Sequence, residues 1–250
     1  MEPIDNLYER VVELIGRIRV EERESIGKAA RVLAKAIAED RLVHVVGTGG
    51  HSYIGAEEFF DRAGGLVPVD PVFEPSLSLS FGALRSTALE RIPGLMQRVL
   101  SRYDLSPGDP LVIVNSYGIN SATIDSALTG REKGLTVIAI TSREFQGRVP
   151  RDHPARHPTK MNLAEVADIV IDTKVPYEDA VVSVQGAQDK TCAVSTILNA
   201  FAIQSLVGQT VKELVSLGVR PPIWVSANVP GGDERNAYWE KKYRSRLRFI

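Results

Sequence analysis

Leu42-Val43-His44-Val45-Val46-Gly47-Thr48-Gly49-Gly50-His51-Ser52 is an apolar run that stops at a glycine-rich turn, and amphipathic sequence follows it. Leu111-Val112-Ile113-Val114 does the same before Asn115-Ser116-Tyr117-Gly118-Ile119-Asn120. Short runs this apolar read as strands buried on both faces, the mark of a parallel sheet between helices. In such a sheet, turns of this kind lie at the carboxyl edge, where the amides of the next helix face outward and favour an anion. Two such turns side by side would grip a phosphate.

Outward from these stretches, residues 1–40 read as helical. Leu7, Val11, Leu14, Ile15 and Ile18 share one face, and Ile26, Ala29, Ala30, Leu33, Ala36 and Ile37 repeat the spacing. The first helix is expected over the sheet or against a partner subunit. After strand 42–46, a helix over 52–63 ends at Gly64-Gly65, and a strand is expected at 66–69. Residues 70–110 form an excursion with a helix near 92–103, and excursions of that length often line sites. Strand 111–114, helix 121–133 and strand 135–140 follow. Residues 141–163 read as a long loop, then come strand 169–171, a helix over 191–217 ended by Gly218, and one more strand at 223–226. Alternating strands and helices predict a three-layer α/β fold.

Composition narrows the function classes. The chain has 250 residues, 44% hydrophobic and 24% charged, with a net charge of −1. That balance suits an ordinary globular protein and argues against bulk binding to nucleic acid or an anionic membrane. Lone Cys192 excludes an internal disulfide, and Met1-Glu2-Pro3-Ile4-Asp5 does not resemble a secretory leader, so a cytoplasmic location is expected. The basic tail from Lys241 to Ile250 reads as a solvated end or an intersubunit arm, and Trp224 and Trp239 as packing residues.

The chemistry sits in the turns. Gly47, Gly49 and Gly50 allow a sharp bend and close approach to a ligand, Thr48 and His51 flank them, and Ser52 offers a hydroxyl at the helix start. The pattern narrowly misses the dinucleotide fingerprint, because Ser52 stands where the third glycine belongs. Asp70, after the second expected strand, falls where a ribose-binding acid would be. A nicotinamide dehydrogenase is therefore a third-ranked reading. In the second turn Asn115, Ser116 and Asn120 surround Gly118, a grouping that suits one small phosphate better than a dinucleotide.

At this point the sequence resembles the sugar isomerase (SIS) domain, and within it a bacterial subfamily akin to phosphoheptose isomerases. The resemblance rests on Gly47 to Ser52, Glu57-Glu58, Arg62 to Leu66 and Asn115 to Asn120. Later blocks extend it: Arg156-His157 with Lys160, Glu165 to Asp168, Pro176 to Ala180, Ser226 to Val229 and Gly231 to Glu234. It covers nearly the whole chain. It implies one SIS domain over 1–250, with N-terminal helices at 1–40, an α/β core at 41–218 and an extension at 219–250. It further implies a flavodoxin-like, five-stranded parallel sheet that binds a phosphorylated sugar, in a homodimer or homotetramer. Departures stand beside the match. Asn115 and Tyr117 occupy the serine positions of the family's Ser-x-Ser-Gly loop, the first loop carries an extra glycine before His-Ser, and Glu57 and Asp61 fall where the isomerases have His and Glu.

Aldose to ketose conversion needs a base that moves a proton between adjacent carbons. Glu58 leads the carboxylate candidates, with Glu57 and Glu234 behind it, and His157 is the preferred imidazole. His44 reads as a packed core residue and His51 as an anion-binding donor, while His153 shares the loop of His157. His51, Glu57 and Asp61 could be drawn as a metal cluster, but carboxylates four apart on a helix are ordinarily surface residues, so neither metal nor cofactor is expected. The leading reading is a phosphosugar isomerase, and a non-catalytic phosphosugar sensor is the alternative.

Overall fold

The computed structural model describes residues 2–250. Two N-terminal helices, α1 (Pro3–Glu21) and α2 (Arg23–Ala38), precede the alternating core: β1 (Val43–Gly47), α3 (Ser52–Phe59), β2 (Val69–Val72), α4 (Ala83–Leu89), α5 (Leu95–Leu100), β3 (Pro110–Val114), α6 (Ser121–Glu132), β4 (Thr136–Thr141), α7 (Arg143–Arg148), α8 (Leu163–Val166) and β5 (Ile169–Asp172). A hairpin of β6 (Ala180–Val182) and β7 (Thr191–Ala193) leads to the long α9 (Ser195–Ser216), and α10 (Gly232–Tyr243) follows. The five core strands are parallel in the order β2-β1-β3-β4-β5. This is the flavodoxin-like α/β sandwich that the sequence implied.

Period-two alternation divides the strand side chains between two cores. Val43, Val45, Val112, Val114, Ile138 and Ile140 face the side covered by α2, α3 and α9, where Leu14 and Ile18 of α1 join them. Val46, Leu111, Ile113, Val137 and Ala139 face the side covered by α5, α6 and α8. Trp224, Trp239, Tyr243 and Leu247 form a third cluster on Val67, so both tryptophans pack. Among the described residues no helix is long and apolar enough to cross a membrane.

Several boundaries differ from expectation, each for a local reason. The second strand is Val69–Val72 rather than 66–69, because Leu66 pairs instead with Ile223 in an isolated antiparallel bridge and the Val67 amide donates to the Pro222 carbonyl. Pro71 is tolerated because β2 is an edge strand. That bridge is all the pairing found at 223–226. The expected helix at 92–103 shrinks to α5, since Gly94 adopts a left-handed conformation (φ 84°) and its amide caps onto Asp125. The expected loop at 141–163 contains α7, whose N-cap Ser142 accepts a hydrogen bond from the Phe145 amide. The expected helix at 191–217 begins only at Ser195, because Thr191–Ala193 pairs with Ala180–Val182 and Asp179 accepts the amides of Val194 and Ser195.

Candidate functional site

The chain leaves β1 toward β2 on one side and enters β3 on the other, so the segments after β1 and β3 diverge at the sheet's switch point, where ligands of open α/β sheets bind. Those segments are the two turns. Asn115 joins them: its side-chain amide donates to the Thr48 carbonyl (2.8 Å), and its oxygen accepts the amides of Tyr117 (3.1 Å) and Gly118 (2.7 Å). Thr48 and Thr123 share a buried hydroxyl–hydroxyl bond of 2.6 Å. Asn115, Ser116 and Thr48 are all buried, and Ser116 bonds to Asn199 on α9 (3.1 Å). These side chains build the rim rather than project from it.

A third segment reaches the same place. The Gly50 amide donates to the Ser86 hydroxyl (3.2 Å), and the Ala122 amide donates to the Glu90 carbonyl (2.8 Å). The Glu90 side chain lies against Gly49, where φ is +97° and any Cβ would overlap its carboxylate. Its other oxygen faces the Asn120 side-chain amide at 3.5 Å. Burial pushes the Glu90 carboxyl up to about 7, with Arg91 opposing weakly. Sequence reasoning missed this residue; the one signal was the length of the excursion that carries it.

At the start of α6 the Ala122 and Thr123 amides are taken by the Glu90 and Asn120 carbonyls, so the amides of Asn120 and Ser121 lead the helix. Ser121 is 1% exposed, and its hydroxyl has no hydrogen-bond partner among the described residues. That leaves a buried, unsatisfied donor beside the positive end of the helix. Across the turn Tyr117 is 40% exposed and packs on Phe145 (4.3 Å between centroids), which stacks on Tyr177 (5.3 Å) beneath Arg148. Burial raises the Tyr117 hydroxyl, and the charges of Asp179 and Glu90 act in the same direction.

His51 and Ser52 stay on the first turn, and the other sequence candidates lie elsewhere or are held by partners. His51 is exposed at the N-cap of α3, and Ser52, half-buried, opens that helix. Glu57 is exposed, and Glu58 is tied to Arg62 and accepts from Gln204 on α9 (2.8 Å). His157 is buried with both ring nitrogens engaged, Nε2 with Asp125 (3.2 Å) and Nδ1 with Thr159 (2.8 Å). Glu234 is exposed on α10, whose segment is fastened beside the far end of α3 through the Gly64 amide and the Trp224 carbonyl. His44 is buried, but its neighbours are carboxylates: Asp70 at 3.5 Å and Asp109 at 3.7 Å. That corrects the placement of Asp70. It pairs with His44 near the amino edge of the sheet, away from the turns, and the dehydrogenase reading loses its ribose-binding acid. Among the described residues no three His, Cys, Asp or Glu side chains converge as a metal ion would need.

The SIS domain profile matches residues 6–142. UPF0309 protein GK1441 of Geobacillus kaustophilus is 34% identical over 244 residues, covering 98% of this chain and 95% of its own length. UPF0309 protein BCAN_B0929 of Brucella canis is 36% identical over 242 residues, covering 97% and 96%. Among solved structures, phosphoheptose isomerase GmhA from Neisseria gonorrhoeae shares the fold with a TM-score of 0.54 at 13% identity, over 82% of this chain and 95% of that one. A phosphoheptose isomerase from Francisella tularensis gives 0.53 at 12% identity, over 85% and 100%. The profile spans more than half the chain and the relatives span nearly all of it: the chain belongs to the SIS domain family and to the UPF0309 proteins.

Proposed function

We propose that this protein binds a phosphorylated sugar on the joined turns and interconverts its aldose and ketose forms. The observation that carries the reading is the Asn115–Thr48 bond, which locks the turns after β1 and β3 into one rim at the switch point, with Ser121 unpartnered beside them. The phosphate would take the free amides at the start of α6 and the Ser121 hydroxyl, with Ser52 on the facing turn. The sugar carbons would then lie over Gly49 and Tyr117. That the named structural neighbours are phosphoheptose isomerases supports the same direction. The exposed apolar residues Ile4, Tyr8 and Val12, one turn apart on α1, support assembly into a homodimer or homotetramer, which light scattering would measure.

A thermal-shift panel of sugar phosphates, the parent sugars and nicotinamide cofactors tests the binding. A phosphosugar at a hundredfold over its dissociation constant adds about 2.7 kcal/mol to the native state, and the parent sugar adds little. Stabilisation by NAD alone would refute the proposal. For a sugar that binds, loss of the C2 proton signal in deuterated water reports turnover. Binding without exchange favours the sensor reading, which the substitution of Tyr117 for a loop serine supports.

A further inference from the structure

We propose that Glu90, on the excursion between β2 and β3, is the proton-transfer group of this site. The assignment rests on the phosphosugar reading and deepens it. Three contacts place the residue: its carboxylate against Gly49 of the first turn, its second oxygen facing Asn120 of the second, and its carbonyl on the Ala122 amide at the start of α6. The backbone contact fixes the residue at the helix end where the phosphate is expected, and the side chain stands between the two turns.

The remaining candidates are held by other partners, face solvent or lie on other segments. Glu58 is held by Arg62 and Gln204, and His157 by Asp125 and Thr159, so each is already committed to contacts outside the two turns. Glu57 faces solvent, and Glu234 lies on a segment fastened beside the far end of α3. Glu90 has no cationic side chain within ion-pair distance among the described residues, and burial raises its proton affinity, so near neutrality it can both take and return a proton.

The step balances without an oxidant or reductant. The ionised Glu90 carboxylate takes the C2 proton of the open-chain aldose phosphate. The C2–H electron pair becomes the C1–C2 double bond, and the carbonyl pair moves to the C1 oxygen, which takes a proton from solvent water. Glu90, now a carboxylic acid, returns its proton to C1 as the C2 hydroxyl releases its own proton back to solvent and becomes the ketone, so the net change is the aldose-to-ketose shift alone.

Glu90→Gln in the full chain separates the roles, because the carboxamide keeps the shape and a contact to Asn120 but cannot accept the proton. The expected result is phosphosugar binding within about threefold of wild type, by thermal shift, together with loss of C2 exchange and isomerisation by about 10²–10⁴-fold. Glu90→Asp, which keeps a shortened carboxylate, is expected to retain a slow exchange. The wild-type rate should rise with pH through the region near 7 where the group ionises. Exchange in Glu90→Gln within tenfold of wild type overturns the assignment, and so does a wild-type protein that binds the sugar but exchanges nothing. If no sugar phosphate shifts the wild-type melt at all, the site reading itself has failed, and that failure is visible before any variant is made.

Discussion

Glu90 makes a stability prediction that needs no substrate. Burial holds its folded-state carboxyl near 7 against an ordinary value of 4.5. Below about pH 4 the folded and unfolded chains both carry the proton, so the residue contributes no difference. As pH rises from 4.5 to about 7, only the folded chain keeps it. Stability therefore falls across that window and stays lower above it. At about 1.36 kcal/mol per decade of proton affinity the full effect is about 3 kcal/mol. Water reaching the half-buried carboxylate reduces that to about 1–2 kcal/mol. Glu90→Gln removes the penalty, so the variant should match wild type at about pH 4 and be about 1–2 kcal/mol more stable at about pH 8. Urea unfolding followed at several pH values, with equal m-values in both proteins, gives the difference directly. Two curves displaced by a constant amount at every pH would refute the argument, since a pH-independent shift reports packing and not proton affinity.

Three further outcomes are expected. Asn115→Ala removes three hydrogen bonds and leaves the Thr48 carbonyl and two turn amides without partners, for a loss of about 2–4 kcal/mol in chemical denaturation and a larger loss in phosphosugar affinity. Gly49→Ala forces a side chain into φ +97° and displaces the Glu90 carboxylate, so the melt should reveal a loss of about 1–3 kcal/mol while turnover falls further than stability alone explains. Ser52→Ala and Ser121→Ala should each weaken phosphate binding by about 1–3 kcal/mol in calorimetry, and an unchanged affinity removes that hydroxyl from the site.

The backbone of the site was legible because its signals are local. An apolar run, glycines and a polar helix start lie consecutively at 42–52 and again at 111–121, and both strand ends fall within a residue or so of expectation. Where two interpretations of an apolar run competed, distant partners decided: Leu66 was claimed by Ile223, and Thr191 to Ala193 by the strand before it. The capping box Asn162-x-x-Glu165, by contrast, is a local helix-start signal lying at the end of a stretch whose composition reads as loop. The roles of side chains were harder. Asn115 and Ser116 look like ligand donors in sequence, yet both turn inward to join segments far apart in the chain. Glu90 carries no periodicity or motif, and its meaning comes from contacts with residues about thirty to forty positions away on both sides.

The division of the strands between two apolar cores has a consequence for how β3 finds its neighbours. In a sheet with one wet face, sliding a strand by one residue throws greasy side chains into water, and that penalty fixes the alignment. Here Leu111 and Ile113 would merely trade sides with Val112 and Val114, hydrocarbon for hydrocarbon. Alignment must then be enforced where the hydrocarbon ends. Asn115 is the first polar residue past that boundary, and its grip on the Thr48 carbonyl is satisfied in one register alone. The same side chain that joins the two turns thus acts as the sheet's stop, and a one-residue insertion within β3 should be felt first in the turns.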